Sequence, residues 1–310
     1  MRPLRIFNIG ILFYILAFSG CNQHGVEEET PVPNPDDQGD PPGAPARVWQ
    51  EKWLDHRLTL DRVYYNDDVA IYYDAGMERT VTWPNAFMTK VWKYVKEVYG
   101  NFGAENRLYI VFHSGTYSGG RTGNIFDEAT GYRSLSDVTS ADWKQMADWN
   151  IDAHVHEIGH VVEGSSKGVH GSPAFGVWKD SKWAEIFQYD VYKNLGMESD
   201  AQRLYDLYMG QSDDFPRAGT YWFRDWFYPV YNQYGENRVL NEFFTLLSKH
   251  FPKNGQAYAR GMNIGEFVHF YSGAAGVNLK AQATKAFGWT PEMESQFIAA
   301  RLEFAITYTD

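Results

Sequence analysis

The chain has 310 residues, enough for one large domain or two lobes, and for an interior that shields a site from water. It carries 28 Lys+Arg against 39 Asp+Glu, a net charge of −11 with no basic block beyond the extreme N-terminus, which argues against nucleic acid or anionic lipid as the main partner. Its single cysteine, Cys21, excludes an intrachain disulfide, a thiolate metal centre and a redox pair. Aromatic residues make up 17% of the chain, with 11 Trp and 21 Tyr; some must be core, and so many also suit a glycan or peptide groove.

Residues 1–20 read as a signal peptide. Arg2 and Arg5 precede an apolar run from Ile6 to Phe18, and Ser19-Gly20 follow. The run is too short for a permanent span. Small residues before the lone Cys21 resemble a bacterial lipoprotein processing site, which implies cleavage before Cys21 and a lipid on its thiol. That resemblance implies a lipid anchor in the outer membrane of the cell envelope. Losing Arg2 and Arg5 takes the mature chain to −13. Residues 21–47 read as a disordered acidic tether, with Glu27, Glu28, Glu29, Asp36, Asp37, Asp40, six prolines and almost nothing to bury. Acids shortly after the cysteine also resemble the surface-export tag of some Gram-negative lipoproteins, so a surface-facing position is expected.

The folded region is expected over 48–310. Asp68–Asp74 is β-branched and aromatic and predicts a strand. Trp83-Pro84 opens a predicted helix with an apolar face of Phe87, Val91, Tyr94, Val95 and Val98, stopped by Gly100. Arg107–His113 is the best strand in the chain, and as a sheet edge it would pair with an extended substrate. The glycines at 115, 119, 120, 123 and 131 match no phosphate-binding pattern and predict a mobile flap or strand-edge loop. Thr139-Ser140-Ala141-Asp142 fits a capping box, predicting a helix that runs on, with a break near Asn150, to Val162 and a C-cap at Gly164.

Within that helix His156-Glu157-Ile158-Gly159-His160 places two imidazoles one turn apart on one face. Ile151, Val155, Ile158 and Val162 form a separate buried stripe, so the histidines are displaced from the core. Two neutral nitrogen ligands, a carboxylate beside them and an open coordination position are what a hydrolytic metal needs. A third protein ligand has to come from elsewhere. His170 and Asp180 are conceivable. The next predicted helix, about 181–195, is apolar over most of its circumference and carries Glu185, a buried carboxylate that needs a cation or donors. Glu185 is therefore expected as the third ligand, with an ion pair to Lys or Arg as the competing role.

His156, Glu157 and His160, followed by a glutamate 25 residues after the second histidine, resemble the gluzincin class of zinc metallopeptidases. The spacing also falls in the looser one of enhancin-like, mucin-directed peptidases. The resemblance implies Zn²⁺ held by His156, His160 and Glu185, with Glu157 as the catalytic base. It implies an α+β, zincin-like fold: a small N-terminal sheet lobe with the active-site helix, about 48–165, and a mainly helical lobe, about 166–310. Predicted helices near 241–251, 265–273 and 279–287 fit the second lobe. Gluzincins commonly place a downstream His or Tyr on the oxyanion, which singles out His269 and Tyr271. In thermolysin-like members an acid four residues after the ligand glutamate supports a zinc histidine. Here that position is Tyr189, with Asp190 one further on.

The function expected is a monomeric zinc metallopeptidase acting on extracellular polypeptide or glycoprotein. The alternative is a non-catalytic, glycan- or protein-binding surface lipoprotein, which the anchor, tether and aromatic content would equally suit.

Overall fold

The computed structural model describes residues 39–180 and 182–310. The signal peptide, Cys21 and most of the tether lie outside the described residues. The chain divides into two units, 1–40 and 41–310, and only Gly39 and Asp40 of the first are described.

The second unit begins with β1 (Val48–Gln50), β2 (Thr59–Tyr65), β3 (Val69–Tyr73), α1 (Trp83–Tyr99), β4 (Leu108–Ser114), β5 (Gly120–Gly123), β6 (Ser134–Ser140) and α2 (Trp149–Ser165). The six strands form one sheet in the order β1-β2-β3-β4-β6-β5. Strands β3, β4 and β6 are parallel, and β1, β2 and β5 extend the sheet antiparallel at its two ends. Every residue of β3 is buried, because both faces of the sheet are covered. Val69, Ile71, Tyr73, Ile110, Phe112 and Val138 face the helices. Ala70, Tyr72, Tyr109, Val111 and Leu135 face the other way, under Trp53 and Leu60.

The remaining elements are α3 (Phe175–Trp178), α4 (Lys182–Asn194), α5 (Glu198–Met209), a π-helical turn (Phe223–Phe227), α6 (Tyr228–Gln233), α7 (Asn237–His250), the ribbon strands β7 (Lys253–Asn254) and β8 (Ala257–Tyr258), α8 (Ile264–Ala275), α9 (Lys280–Phe287) and α10 (Pro291–Glu303). The fold is thus mixed α and β, with a six-stranded sheet followed by a mainly helical half.

Four expectations need correction. Chain order reaches the sheet earlier than 48: Pro45 is buried, the Tyr72 hydroxyl donates to Ala46 O at 2.8 Å, and Arg62 N donates to Arg47 O at 2.8 Å. Residues 45–47 therefore belong to the folded unit and not to a tether. Thr139–Asp142 does not start a helix. Ser140 ends β6, whose polar residues Ser134, Ser136 and Asp137 are buried, and α2 starts only at Trp149. Pairing with β4 overrides a local capping pattern there. Strand Arg107–His113 is not an edge, since β4 lies between β3 and β6. The terminal strand on that side is β5, drawn from the glycine-rich stretch.

The fourth concerns the aromatic residues. Trp53, Trp92, Trp143, Trp178, Trp183, Trp222 and Trp226 are each 3% exposed or less, and Trp149 is the large exposed exception at 52%. Trp178, Trp183, Trp222, Phe227, Phe243, Phe267 and Tyr271 pack ring against ring in the helical half. Most of the aromatic content is core, where each such ring removes on the order of 150–250 Å² from water.

Candidate active site

Helix α2 lies across the sheet face that carries Phe112 and Val138, with Ile151, Val155, Ile158 and Val162 fully buried, as their spacing predicts. Its N-terminal turn is fastened to α4 and α5. The Asp152 carboxylate accepts from both terminal guanidinium nitrogens of Arg203 at 2.8 Å and from the Tyr192 hydroxyl at 2.8 Å. Gly159, inside the motif, lets α4 come close. A Cβ there would stand 3.2 Å from Phe187 Cδ1 and 3.4 Å from Ala184 Cβ. His154 is fully buried next to Ser136 Oγ at 2.8 Å, and burial drives its pKa down to about 3, so it is a neutral core residue.

His156, Glu157 and His160 face an open cavity of about 530 Å³, walled by β5 on one side and by Phe175 and Asp180 on another. His156 Nε2 and His160 Nε2 are 3.1 Å apart. Burial, reinforced by His160, drives the His156 pKa down to about 4, so His156 is neutral near pH 7. Burial also opposes a proton on His160, but the Glu163 carboxylate, 2.6 Å from His160 Nδ1, outweighs it and raises the pKa. With Nδ1–H directed at Glu163, His160 keeps Nε2 for the cavity.

Glu157 is 9% exposed, and its pKa is pushed up to about 7, first by burial and also by Asp180 and Asp137, against His160 and Arg121. The Thr122 hydroxyl donates to the Glu157 carbonyl at 3.1 Å, joining α2 to β5. Gly120 is where β5 meets the glutamate: a Cβ at this position would fall 2.2 Å from Glu157 Oε1. Only glycine admits the carboxylate so close to the strand.

The third expected ligand stands elsewhere. Glu185 is buried, and its Oε1 is 2.6 Å from Lys182 Nζ, which also reaches Asp213 Oδ2 at 3.0 Å. Burial pushes the Glu185 pKa up to about 7, and Lys182 opposes the rise. Glu185 does not line the cavity. The competing role of an ion pair with lysine is the one the structure displays. Asp180 does line it, with Oδ1 3.7 Å from His160 Nε2 and a side chain 79% exposed. His170 stacks on Phe126 at 4.9 Å and is not part of the cavity wall.

His269 is not an oxyanion donor. It is 1% exposed on α8, its Nδ1 2.8 Å from the Tyr308 hydroxyl and its Nε2 3.1 Å from Phe304 O, a satisfied core histidine. Tyr271 is likewise sealed among aromatic rings. Asp190 does not support a zinc histidine either, because its oxygens accept Tyr94 and Tyr231 hydroxyls at 2.6 and 2.7 Å. Glu163 orients His160 instead. Its position three residues after His160, on the same helix face, was the signal in the sequence.

A second group escaped the sequence reading altogether. Glu51, His56, His113 and Asp137 are all buried, and one ligand atom from each lies within 4.8 Å of the others. This group could hold a metal ion. His113 sits at the end of β4 and Asp137 on β6, but Glu51 and His56 come from the β1–β2 connection, and no sequence spacing links the four. A proton on His113 is one way to balance its charge: burial opposes it, but Asp137, Asp74 and Glu51 hold the pKa up to about 11.

No protein-family model matches the chain, and no curated protein does. Among solved structures, a functionally unknown conserved protein from Bacillus anthracis str. Ames is similar at a TM-score of 0.47 and 10% identity, covering 79% of this chain and 54% of that one. A mutant of a functionally unknown conserved protein from the same organism gives 0.44 and 11%, with 79% and 51% covered. The chain spans about half the length of these structures.

Proposed function

We propose that the chain is a zinc-dependent metallopeptidase of the gluzincin type, on a zincin-like fold, hydrolysing peptide bonds in extracellular polypeptide or glycoprotein. The observation that carries this is the pair of imidazole nitrogens, His156 Nε2 and His160 Nε2, 3.1 Å apart on a cavity wall with Glu157 beside them. Two part-buried imidazoles converging on one point suit a borderline divalent cation such as zinc. Their fit is supported by Glu163, which fixes His160 with Nε2 toward the cavity. A carboxylate completes the set, and the arrangement favours Asp180 over Glu185.

Zinc bound there would act as a Lewis acid and lower the pKa of a water. Glu157, with a pKa near 7, is suited to take a proton from the attacking water and return it to the leaving amine. Among the described residues, β5 ends the sheet along the cavity, where an extended substrate could add as a further strand. Gly120 keeps that edge open next to Glu157. We further propose that a lipid on Cys21 tethers the enzyme to the bacterial cell envelope, facing outward.

The test is zinc content together with hydrolysis of an unstructured protein substrate, for the wild type and Glu157→Ala. The reading expects bound zinc in both and cleavage only in the wild type. A Glu157→Ala protein that cleaves at the wild-type rate, or a wild type that takes up no zinc, overturns it. The second result would favour a non-catalytic binding lipoprotein.

A further inference from the structure

The buried group on the other face of the sheet has a geometry of its own. His113 and Asp137 follow Val111 and Leu135 by two residues on β4 and β6, so they share the face turned away from α2. The β1–β2 connection folds over that face and brings in Glu51 and His56. All four residues are 2% exposed or less. Glu51 Oε1, His113 Nε2 and Asp137 Oδ1 are buried without a hydrogen-bond partner. Yet His113 Nε2 is 2.9 Å from Glu51 Oε1 and 3.1 Å from Asp137 Oδ1. Three unpartnered polar atoms crowd around one point.

The opposite end of each side chain is already held. Glu51 Oε2 accepts Leu58 N at 2.8 Å and the Tyr117 hydroxyl at 3.2 Å. Asp137 Oδ2 accepts Trp53 Nε1 at 2.7 Å. His113 Nδ1 faces Asp74 Oδ2 at 3.3 Å, which fixes the ring and turns Nε2 toward the two free oxygens. A metal-binding histidine is oriented in this way by a carboxylate behind it. His56 completes the group, with Nδ1 3.7 Å from Glu51 Oε1 and 2.8 Å from Asp137 Oδ2.

We infer that Glu51, His56, His113 and Asp137 form a second metal site, closed and structural, for a zinc-like divalent ion. Ligand bonds of about 2.0–2.1 Å in a tetrahedron place neighbouring ligand atoms about 3.3 Å apart. Three of the six separations are 2.9, 3.1 and 3.7 Å, on either side of that value, and all six lie within 4.8 Å. Two imidazoles and two carboxylates select a late first-row ion over calcium or magnesium, which take six or more oxygens. Two carboxylates and a dication also sum to zero charge in a buried place. Four protein ligands leave no position for substrate, so the ion's work is to clamp the β1–β2 connection onto β4 and β6.

The experiment uses the full chain, purified without chelator, incubated with ZnCl₂ alone, desalted and assayed for zinc per chain. The His156→Ala/His160→Ala double variant is expected to retain one zinc, with two imidazole nitrogens and two oxygens in its X-ray absorption spectrum. Adding His113→Ala to that double variant should abolish binding. A folded His156→Ala/His160→Ala chain that holds no zinc overturns the inference and leaves His113 protonated among its carboxylates. One zinc in the wild type that survives the double variant upholds this site while removing the proposed active site. Should the triple variant fail to fold, the zinc count and the spectrum of the double variant decide alone.

Discussion

Glu163 Oε2 lies 2.6 Å from His160 Nδ1, so a residue of the motif's own helix sets the tautomer of its second histidine. The carboxylate is 4% exposed, and its Oε1 has no hydrogen-bond partner among the described residues. Replacing it with glutamine keeps the shape but not the charge. Glu163→Gln should weaken zinc binding by about 10- to 100-fold, the usual effect of losing such a support. Competition against a zinc chelator measures this. Unchanged affinity would mean that Glu163 only fills space.

Gly120→Ala tests the contact between the edge strand and the base. The new Cβ would meet Glu157 Oε1 at 2.2 Å, and the carboxylate must move aside. Displacing a catalytic group by about 1 Å costs on the order of 100-fold in rate. We expect that loss in kcat/KM, with zinc content and melting temperature near those of the wild type. Wild-type activity would show that Glu157 does not work from the position it occupies here.

The third ligand is decided by a pair of variants. If Asp180 completes the site, Asp180→Asn lowers zinc affinity at the cavity and Glu185→Gln leaves it unchanged. Glu185→Gln should then lower stability, because it strips the buried Lys182 of its closest carboxylate, 2.6 Å away. The reverse pattern in zinc affinity would return Glu185 to the ligand role that its sequence spacing implies.

Asp190 makes a prediction about pH. Burial pushes its pKa up to about 6, from the ordinary 3.8 of an aspartate, even though Tyr94 and Tyr231 donate to it. A folded-state pKa above the unfolded one contributes stability that is complete below about 3.8 and lost as pH rises through about 6. Between those values this residue's contribution falls by about 2–3 kcal/mol. Denaturant unfolding at pH 4 and pH 7 should show Asp190→Asn losing less stability than the wild type over that interval. Equal losses would mean that Asp190 is ionised at both.

How much was legible in the sequence differs element by element. Helices α1, α2, α4, α7, α8 and α9 follow from apolar spacing and from stops such as Gly100, because local periodicity reports which side of a helix is buried. Strand β6 was not legible. Its Ser134, Ser136 and Asp137 read as a polar segment, and they are buried because the strand lies between β4 and β5; there Ser136 Oγ meets His154 and Asp137 Oδ2 accepts Trp53. The excess of aromatic residues was legible as a quantity, but its place in the helical core was not.

The sequence by itself determined the pair His156 and His160, the neighbouring Glu157 and the helix that presents them. Their relation needs only the 3.6-residue turn of one helix. Tertiary structure alone decided what surrounds them. It turned Glu185 to Lys182, sealed His269 against Tyr308 and brought Asp180 and Gly120 to the cavity. It also gathered Glu51, His56, His113 and Asp137 from three separate stretches of chain. Contacts between distant segments depend on how whole layers pack, and no local pattern of residues encodes that.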